Sequence, residues 1–313
     1  MTIVHVDSSL PPDGVRFRLY SGDFVLFTGL TAVAEFVEFA RSEIEKAFHP
    51  HDPQAIHTVL DSEETARILG SWKPYFIHHE RSKTLTRAII EQAGFDPTST
   101  HYDVPKPRTA FPSDHLTTGI AFAFPWHRDT WYAAPQQQIN WWLPIWEPLA
   151  TNAMAFDPAA FDRAVPNDSG TLDYYQTNKD RLSAAQHVKS DPRSRPSAEG
   201  WTPDAEVVFL PRPGQVLLFS GSQLHRTIPN TSGRSRYSID FRTVDRPDVE
   251  SGLGAPRRDV ACTGTALRDF ACVSTGLPID EATVRFVEGA PPPEGAILVF
   301  DAGVDANCVG EVA

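Results

Sequence analysis

Apolar and polar positions change period twice along the first hundred residues. Up to residue 30 they alternate, around Val15-Arg16-Phe17-Arg18-Leu19 and Phe24-Val25-Leu26-Phe27, with Ser21-Gly22-Asp23 between the two runs. Period two predicts short strands joined by a turn, a leading hairpin or edge pair. From Thr31 the spacing widens to three and four. Val33, Phe36, Val37, Ala40, Ile44 and Phe48 then share one side, with Glu35, Glu38, Arg41 and Glu45 opposite. That pattern predicts an amphipathic helix capped by Thr31. Two more helices are predicted over 63–69 and 82–92, the second closed by Gly94. These helices carry no recognisable chemistry and read as a scaffold outside a sheet.

Beyond residue 100 the texture changes to short apolar runs broken by proline and glycine. Strands are predicted over 101–104, 119–124, 138–145, 206–210, 215–219 and 236–244. Several short strands separated by turn signals indicate a sandwich or barrel. Residues 157–204 interrupt this rhythm with Asp, Asn, Ser, Arg and Pro, and with Tyr174-Tyr175 in their middle. A polar insertion of that length suggests a lid over a site. From 246 onward Gly, Pro and Arg predict an irregular tail with one closing strand over 295–300. The expected architecture is mainly β with flanking helices, an α+β chain forming one domain over 1–313. Its parts are a scaffold (1–99), a core (100–245) and a tail (246–313).

Composition narrows the function classes. Charged residues at 22% and apolar ones at 41% are those of a globular chain, and 313 residues suffice for a sizeable core. A formal net charge of -12 argues against nucleic acid or an anionic membrane as partner. The basic clusters Arg234-Ser235-Arg236 and Arg257-Arg258 are too short to reverse that. Cys262, Cys272 and Cys308 are widely spaced, without a CxxC, and are expected to be reduced thiols. No signal-peptide pattern or membrane-length apolar run is visible, so a cytoplasmic protein, monomer or homodimer, is expected.

The candidate chemistry lies in Pro125-Trp126-His127-Arg128-Asp129-Thr130-Trp131-Tyr132. On an extended strand, residues two apart point the same way, so His127 and Asp129 can hold one metal ion together. Among 11 His and 24 Asp in 313 positions, about one HxD pair is expected by chance, and the chain holds three. His5/Asp7 sits near the N-terminus, and His101/Asp103 is the alternative, at a strand end marked by Val104-Pro105. His127/Asp129 follows an apolar run and precedes an aromatic strand, which favours it. A second imidazole would complete a two-His, one-carboxylate set, with one side of the metal left open. His225 is the candidate, between the run Gly214-Gln215-Val216-Leu217-Leu218-Phe219 and the strand beginning at Arg236. On that strand Arg236 and Ser238 share one face, and Tyr237, Ile239 and Phe241 the other. A guanidinium facing an apolar interior calls for an anion. Arg242 shares the face of Arg236 and is the alternative. Asn140 and Gln138 alternate together toward ligand or solvent. Trp131 and Tyr132, together with Arg108 and its neighbour Lys106, are candidate substrate contacts, and His78-His79-Glu80 reads as surface.

In its HxD pair, aromatic strand, long insertion, Gly-x-Val-Leu-Leu-Phe strand, distal His and Arg-x-Ser eleven residues later, the chain resembles the Fe(II)/2-oxoglutarate-dependent dioxygenases of the phytanoyl-CoA hydroxylase-like group. The resemblance spans about residues 100 to 245. It implies a double-stranded β-helix, the jelly-roll or cupin-like core. It also implies His127, Asp129 and His225 as Fe(II) ligands, with Arg236, Ser238, Thr227 and Trp142 (or Trp141) around 2-oxoglutarate. The implied reaction consumes O2 and oxidises a C–H bond of a small polar molecule, an amino acid or natural-product intermediate, by hydroxylation or by desaturation or cyclisation. An aspartate as carboxylate ligand disfavours halogenation. Ala155-Phe156-Asp157-Pro158 stands where the family has Pro-Gly-Ser-His, a departure that bears on the substrate. The alternatives are a cupin-like metal enzyme that does not use 2-oxoglutarate and a non-catalytic jelly-roll module that binds an anion.

Overall fold

A computed structural model describes residues 2–180 and 193–288. The strand expected over 295–300, Cys308 and part of the polar insertion lie outside the described residues. Strand β10 (Arg236–Asp245) is ten residues long and lies centrally in an eight-stranded sheet. On one side it pairs with β5 (Ile139–Pro144), and on the other with β4 (Lys106–Ala110) and then β3 (Thr100–Tyr102), all antiparallel. β3 and β4 lie on the same side of β10, separated at Val104-Pro105, where proline has no N–H to give the ladder. Beyond β5 follow β8 (Val216–Ser220), β2 (Phe24–Phe27) and β1 (Val4–Val6), and beyond β3 lies β11 (Ala271–Cys272).

Side chains on these strands alternate between two environments. Tyr237, Ile239 and Phe241 of β10 join Ile139, Trp141, Leu143, Val216 and Leu218 in an apolar layer under three helices. Those helices are α2 (Thr31–Phe48), α3 (Ser62–His78) and α4 (Glu80–Gln92), which contribute Phe36, Ile44, Leu69, Phe76 and Ile89. The opposite face carries Phe24, Trp142, Leu217 and Phe219, which pack with Phe156 of a second, three-stranded sheet. That sheet is β7 (Val207–Phe209), β6 (Met154–Phe156) and β9 (His225–Thr227). Phe156 meets Phe24 at 5.1 Å and Phe219 at 4.9 Å between ring centroids, and Phe209 meets Phe24 at 4.6 Å. The sheet-dominated α+β architecture expected from the sequence is present, with the two sheets in contact through an aromatic seam.

Several local expectations are corrected. Val15 to Leu19 lies not in a hairpin strand but within helix α1 (Pro12–Tyr20), and β1 and β2 run parallel. Its alternation misleads because the rows that matter are i,i+4. Val15 and Leu19 are buried in the core while Phe17 is 59% exposed. Arg16 Nε and the Tyr20 hydroxyl both donate to Asp248, at 2.6 and 3.0 Å, a partner more than two hundred residues away. Residues 119–124 are not a strand; Gly119–Ala121 forms a 3-10 turn, entered through the positive φ of Gly119. The second helix runs far past residue 69, to His78. Thr31 does not cap α2, since its hydroxyl bonds the Gln92 side chain instead. β4, β6 and β9 carry too few alternating apolar positions to have been expected. The tail is not wholly irregular. It forms α5 (Arg246–Ser251) and α6 (Glu281–Glu288) and adds β11 to the large sheet.

Trp141 anchors the helix-facing layer. It is fully buried, stacks on Phe241 at 5.2 Å, meets Phe95 edge-on at 5.2 Å and donates its indole N–H to Thr243 Oγ1 at 2.9 Å. Trp141→Ala is expected to lower unfolding free energy by about 3–5 kcal/mol, through lost burial and a large cavity. Urea denaturation checks this, and a loss below about 1 kcal/mol would show that the layer is not packed as described.

Candidate metal centre

The two imidazoles converge because they are cross-strand partners. His127 N–H donates to His225 O and His225 N–H to His127 O, each at 2.9 Å, forming an isolated antiparallel bridge beside β9. Directly opposed residues point their side chains to the same side, and the two rings lie 4.2 Å apart between centroids. Each Nδ1 sits near the carbonyl two residues before it, Pro125 O at 2.8 Å and Gln223 O at 2.9 Å. A carbonyl only accepts, so each Nδ1 carries the proton and each Nε2 presents a lone pair. Burial, reinforced by the neighbouring His127, pushes the His225 imidazole down to about 4, so it is neutral at pH 7.

Asp129 reaches the same point by a different route from the one expected. It opens a 3-10 turn (Asp129–Tyr132) rather than continuing a strand, and its N–H is held by Gly221 O at 2.9 Å. Gly221 packs closely here: a Cβ on it would lie 3.3 Å from Gln138 Nε2 and 3.5 Å from Asp129 Cβ. Asp129 Oδ2 accepts from Asn140 Nδ2 at 2.6 Å and Gln138 Nε2 at 3.1 Å. Oδ1 faces His127 Nε2 at 3.7 Å and His225 Nε2 at 4.0 Å. Burial opposes ionisation of Asp129, but the facing imidazoles and the Arg242 guanidinium outweigh it and hold the carboxyl well below the usual range. One donor atom from each of the three residues lies within 4.8 Å of the other two, and this is the only such group among the described residues. Two imidazole nitrogen donors and one carboxylate oxygen suit a divalent first-row metal with open positions. The other HxD pairs are otherwise engaged: His5 and Asp23 pair at 2.9 Å, Asp7 accepts from Thr28, and Asp103 pairs with Lys106 and Arg242.

Behind the centre lies the inner face of the large sheet. Arg236 is 5% exposed and donates Nη1–H to Ser238 Oγ at 3.0 Å, with its guanidinium 5.8 Å from the Trp142 ring centroid. Its Nε and the Trp142 Nε1 are buried without an acceptor. Burial lowers the Arg236 guanidinium to about 10, still charged at neutral pH. Arg242, by contrast, is gripped by Asp103 at 2.8 Å. Alternation also separates the two tryptophans, since Trp141 faces the helices and Trp142 the site. Asn140 was expected at the co-substrate. Its amide N–H instead holds Asp129, and its Oδ1 accepts from Gln138 at 2.9 Å. Thr227 lies on β9, where its N–H donates to Phe124 O at 2.8 Å. Arg108 and Lys106, candidate substrate contacts, lie on β4, and Arg108 forms a two-bond pair with Asp240 at 2.7 and 3.1 Å. Tyr132 packs edge-on to His127 at 5.5 Å and donates its hydroxyl to Pro196 O. Trp131 is fully buried, with its indole N–H on Asp259 Oδ1 at 2.9 Å.

Sequence reasoning missed Arg128, the residue between the two ligands. It is 3% exposed and binds Asp259 of the tail, Ser222 O after β8, and Ala160 O and Arg163 O of the insertion. Nothing in its neighbourhood along the chain signals this role, because all four partners lie more than thirty residues away.

No family model and no curated protein matches the chain. Among solved structures it is similar to EvdO2 from Micromonospora carbonacea var. aurantiaca, at 15% identity over 77% of this chain and 93% of that one, with a TM-score of 0.43. The same protein complexed with 2-oxoglutarate gives 14%, 76%, 92% and 0.42. The epimerase SnoN in complex with Fe3+, alpha ketoglutarate and nogalamycin RO gives 14%, 82%, 98% and 0.39.

Asp129→Ala is expected to abolish tight Fe(II) binding in anaerobic titration calorimetry. Asn140→Ala, which frees the carboxylate to rotate, should weaken it by about 10–100-fold. Unchanged affinity in both variants would place the metal elsewhere.

Proposed function

We propose that this chain is a non-haem Fe(II)/2-oxoglutarate-dependent oxygenase, of the kind represented by the phytanoyl-CoA hydroxylase-like group, built on a jelly-roll core. The observation that carries this reading is the pairing of an open three-ligand centre with Arg236. That guanidinium is buried on the adjoining face and makes no ion pair among the described residues, and one of its N–H groups lacks an acceptor. A metal-chelating anion with a second carboxylate answers both features. His127, His225 and Asp129 hold the iron from one side, and Arg236 with Ser238 receives the far carboxylate. Trp142 supplies its indole N–H and the wall beside it. Thr227 and the outer ligand ring His127, with Tyr132 against it, bound the remaining side.

Bound Fe(II), 2-oxoglutarate and O2 supply the oxidising power for C–H cleavage, with succinate and carbon dioxide released. The chain's own contribution is positioning. Asn140 and Gln138 fix one carboxylate oxygen of Asp129 so that the other faces the metal, and the two backbone carbonyls fix the imidazole tautomers. The substrate on this reading is a small polar molecule, an amino acid or natural-product intermediate, oxidised by hydroxylation or by a desaturating or ring-closing variant.

Anaerobic addition of Fe(II) and 2-oxoglutarate should produce a weak visible charge-transfer band, and aerobic turnover should release succinate. Arg236→Gln is expected to weaken 2-oxoglutarate binding by about 10–100-fold, the value of a charge-assisted contact, while leaving Fe(II) affinity unchanged. A colourless mixture, or a variant that binds 2-oxoglutarate normally, would favour a metal enzyme or binding module that does not use this co-substrate.

A further inference from the structure

Two phenyl rings at the metal centre are left out of the core. Phe122 and Phe124 are half-buried and join none of the buried apolar clusters among the described residues. Their aromatic neighbours are claimed, since Trp126 and Tyr132 pack on the cluster around Trp131 and Leu224. Large rings that seal no core, beside an open metal centre, mark a place for a ligand.

Geometry gives the kind of ligand. Phe124 stacks on the imidazole of the candidate ligand His127, with centroids 4.9 Å apart and planes inclined by 30°. Phe122 meets Phe124 edge-on at 4.8 Å, and Tyr132 meets it edge-on at 5.7 Å. The Arg195 guanidinium lies 4.5 Å from the Phe122 centroid and 5.5 Å from that of Phe124, and the Arg108 guanidinium lies 5.8 Å from Phe124. Arg108 stands directly opposite Ser238 across the β10–β4 ladder, so it shares the face that carries Arg236. The rings therefore lie between a metal ligand and the co-substrate face. Surface stays accessible there: the side chains of Asp129 and Asp240 keep 20% each, and that of Arg108 keeps 36%.

The shelf is also held still. Buried Lys73 of α3 donates to Ile120 O at 2.7 Å, and the Ala123 N–H donates to Thr117 O at 3.0 Å. At the other end the Thr227 N–H donates to Phe124 O at 2.8 Å, which ties Phe124 to β9 beside His225. Rings fixed in advance bind a partner with little further ordering cost.

We propose that Phe122, Phe124 and Tyr132, with Arg108 and Arg195 at the rim, form a slot for an aromatic ring of the molecule to be oxidised. This rests on the oxygenase reading above and narrows its substrate to one bearing a planar aromatic group. Aliphatic bulk would fill the same space, but it would strip water from two guanidinium faces and return nothing. An aromatic face returns a cation–π contact, and its edges suit the perpendicular rings already there. Arg108 is already paired with Asp240, so the slot relies on no unmatched charge.

The test uses the full chain loaded with Mn(II), which accepts the same donors and broadens the NMR lines of any molecule bound close to it. The probe is 2-naphthylmethanol, and its saturated analogue, decahydro-2-naphthylmethanol, is the control. The naphthyl lines should broaden saturably, and the saturated analogue should bind about tenfold more weakly. Phe122→Leu and Phe124→Leu keep apolar bulk but remove a ring face, and each should cut that preference to about threefold or less. Equal affinity for the two compounds, or naphthyl lines that broaden no more than with the Zn(II)-loaded chain, overturns the proposal. Full preference in both leucine variants overturns it as well, by placing the ring elsewhere. Should neither variant fold, cross-relaxation between the naphthyl protons and labelled phenylalanine rings of the Zn(II)-loaded chain decides, and its absence overturns the slot. Loaded instead with Fe(II) and 2-oxoglutarate without oxygen, the chain should show its visible band, and the probe should shift it. A band that the probe leaves unmoved overturns this proposal alone. No band overturns the oxygenase reading, and with it the assignment of the ring to an oxidised substrate.

Discussion

The strict alternation of side chains along β10 is the constraint on which the rest of the molecule depends. Each second residue, Tyr237, Ile239 and Phe241, lies in an apolar layer sealed by α2, α3 and α4. Each residue between them, Arg236, Ser238, Asp240 and Arg242, turns toward the other sheet. A slip of one register position would drive four polar groups into the helix-packed layer and leave three large apolar side chains at the metal face. The layer under the helices therefore does more than stabilise. By making one register much more favourable than the next, it sets which groups the site receives, and β5 repeats the logic with Trp141 outward and Asn140 and Trp142 inward.

The polar face created this way is expensive, and its charges are arranged accordingly. Asp103 serves Lys106 and Arg242, and Asp240 serves Arg108, so most of the buried cations are paired within the sheet. Burial favours the neutral acid at Asp240, but the surrounding cations outweigh it and keep it ionised. Breaking a buried pair strands a charge, so these residues depend on one another. Arg236 stands outside this arrangement, held only by Ser238 and the face of Trp142. A charged group left without an ion pair in so balanced a setting points to a ligand.

The insertion and the tail, which sequence composition presents as loose, are tied to the metal-binding segment. Arg128 collects acceptors from the insertion, the β8–β9 turn and the tail. Asp259 in turn receives the Trp131 indole N–H and the Val165 N–H, at 2.9 and 3.0 Å. Tyr174 and Tyr175, which looked like part of a lid, are buried and pack with Ala133 and Ala266. The described part of the insertion thus belongs to the wall around the site.

Much of this was written into local sequence. The helix α2, the strands β8 and β10 and the shared face of Arg236 and Ser238 all follow from periods of 3.6 and 2, which any short window reveals. Alternation even placed Asn140 and Gln138 on one face, although not what they hold. What no window contains is partnership at a distance. Val15 to Leu19 alternates like a strand yet is helical, with Arg16 and Tyr20 on adjacent turns bound to the distant Asp248. Asp129 sits in a turn whose first N–H is held by the carbonyl of Gly221, ninety-two residues on. The sequence by itself determined which side chains share a face. Only the tertiary structure decided which faces meet, because backbone pairing such as that of His127 with His225 is set by the packing of the two sheets and not by neighbours along the chain.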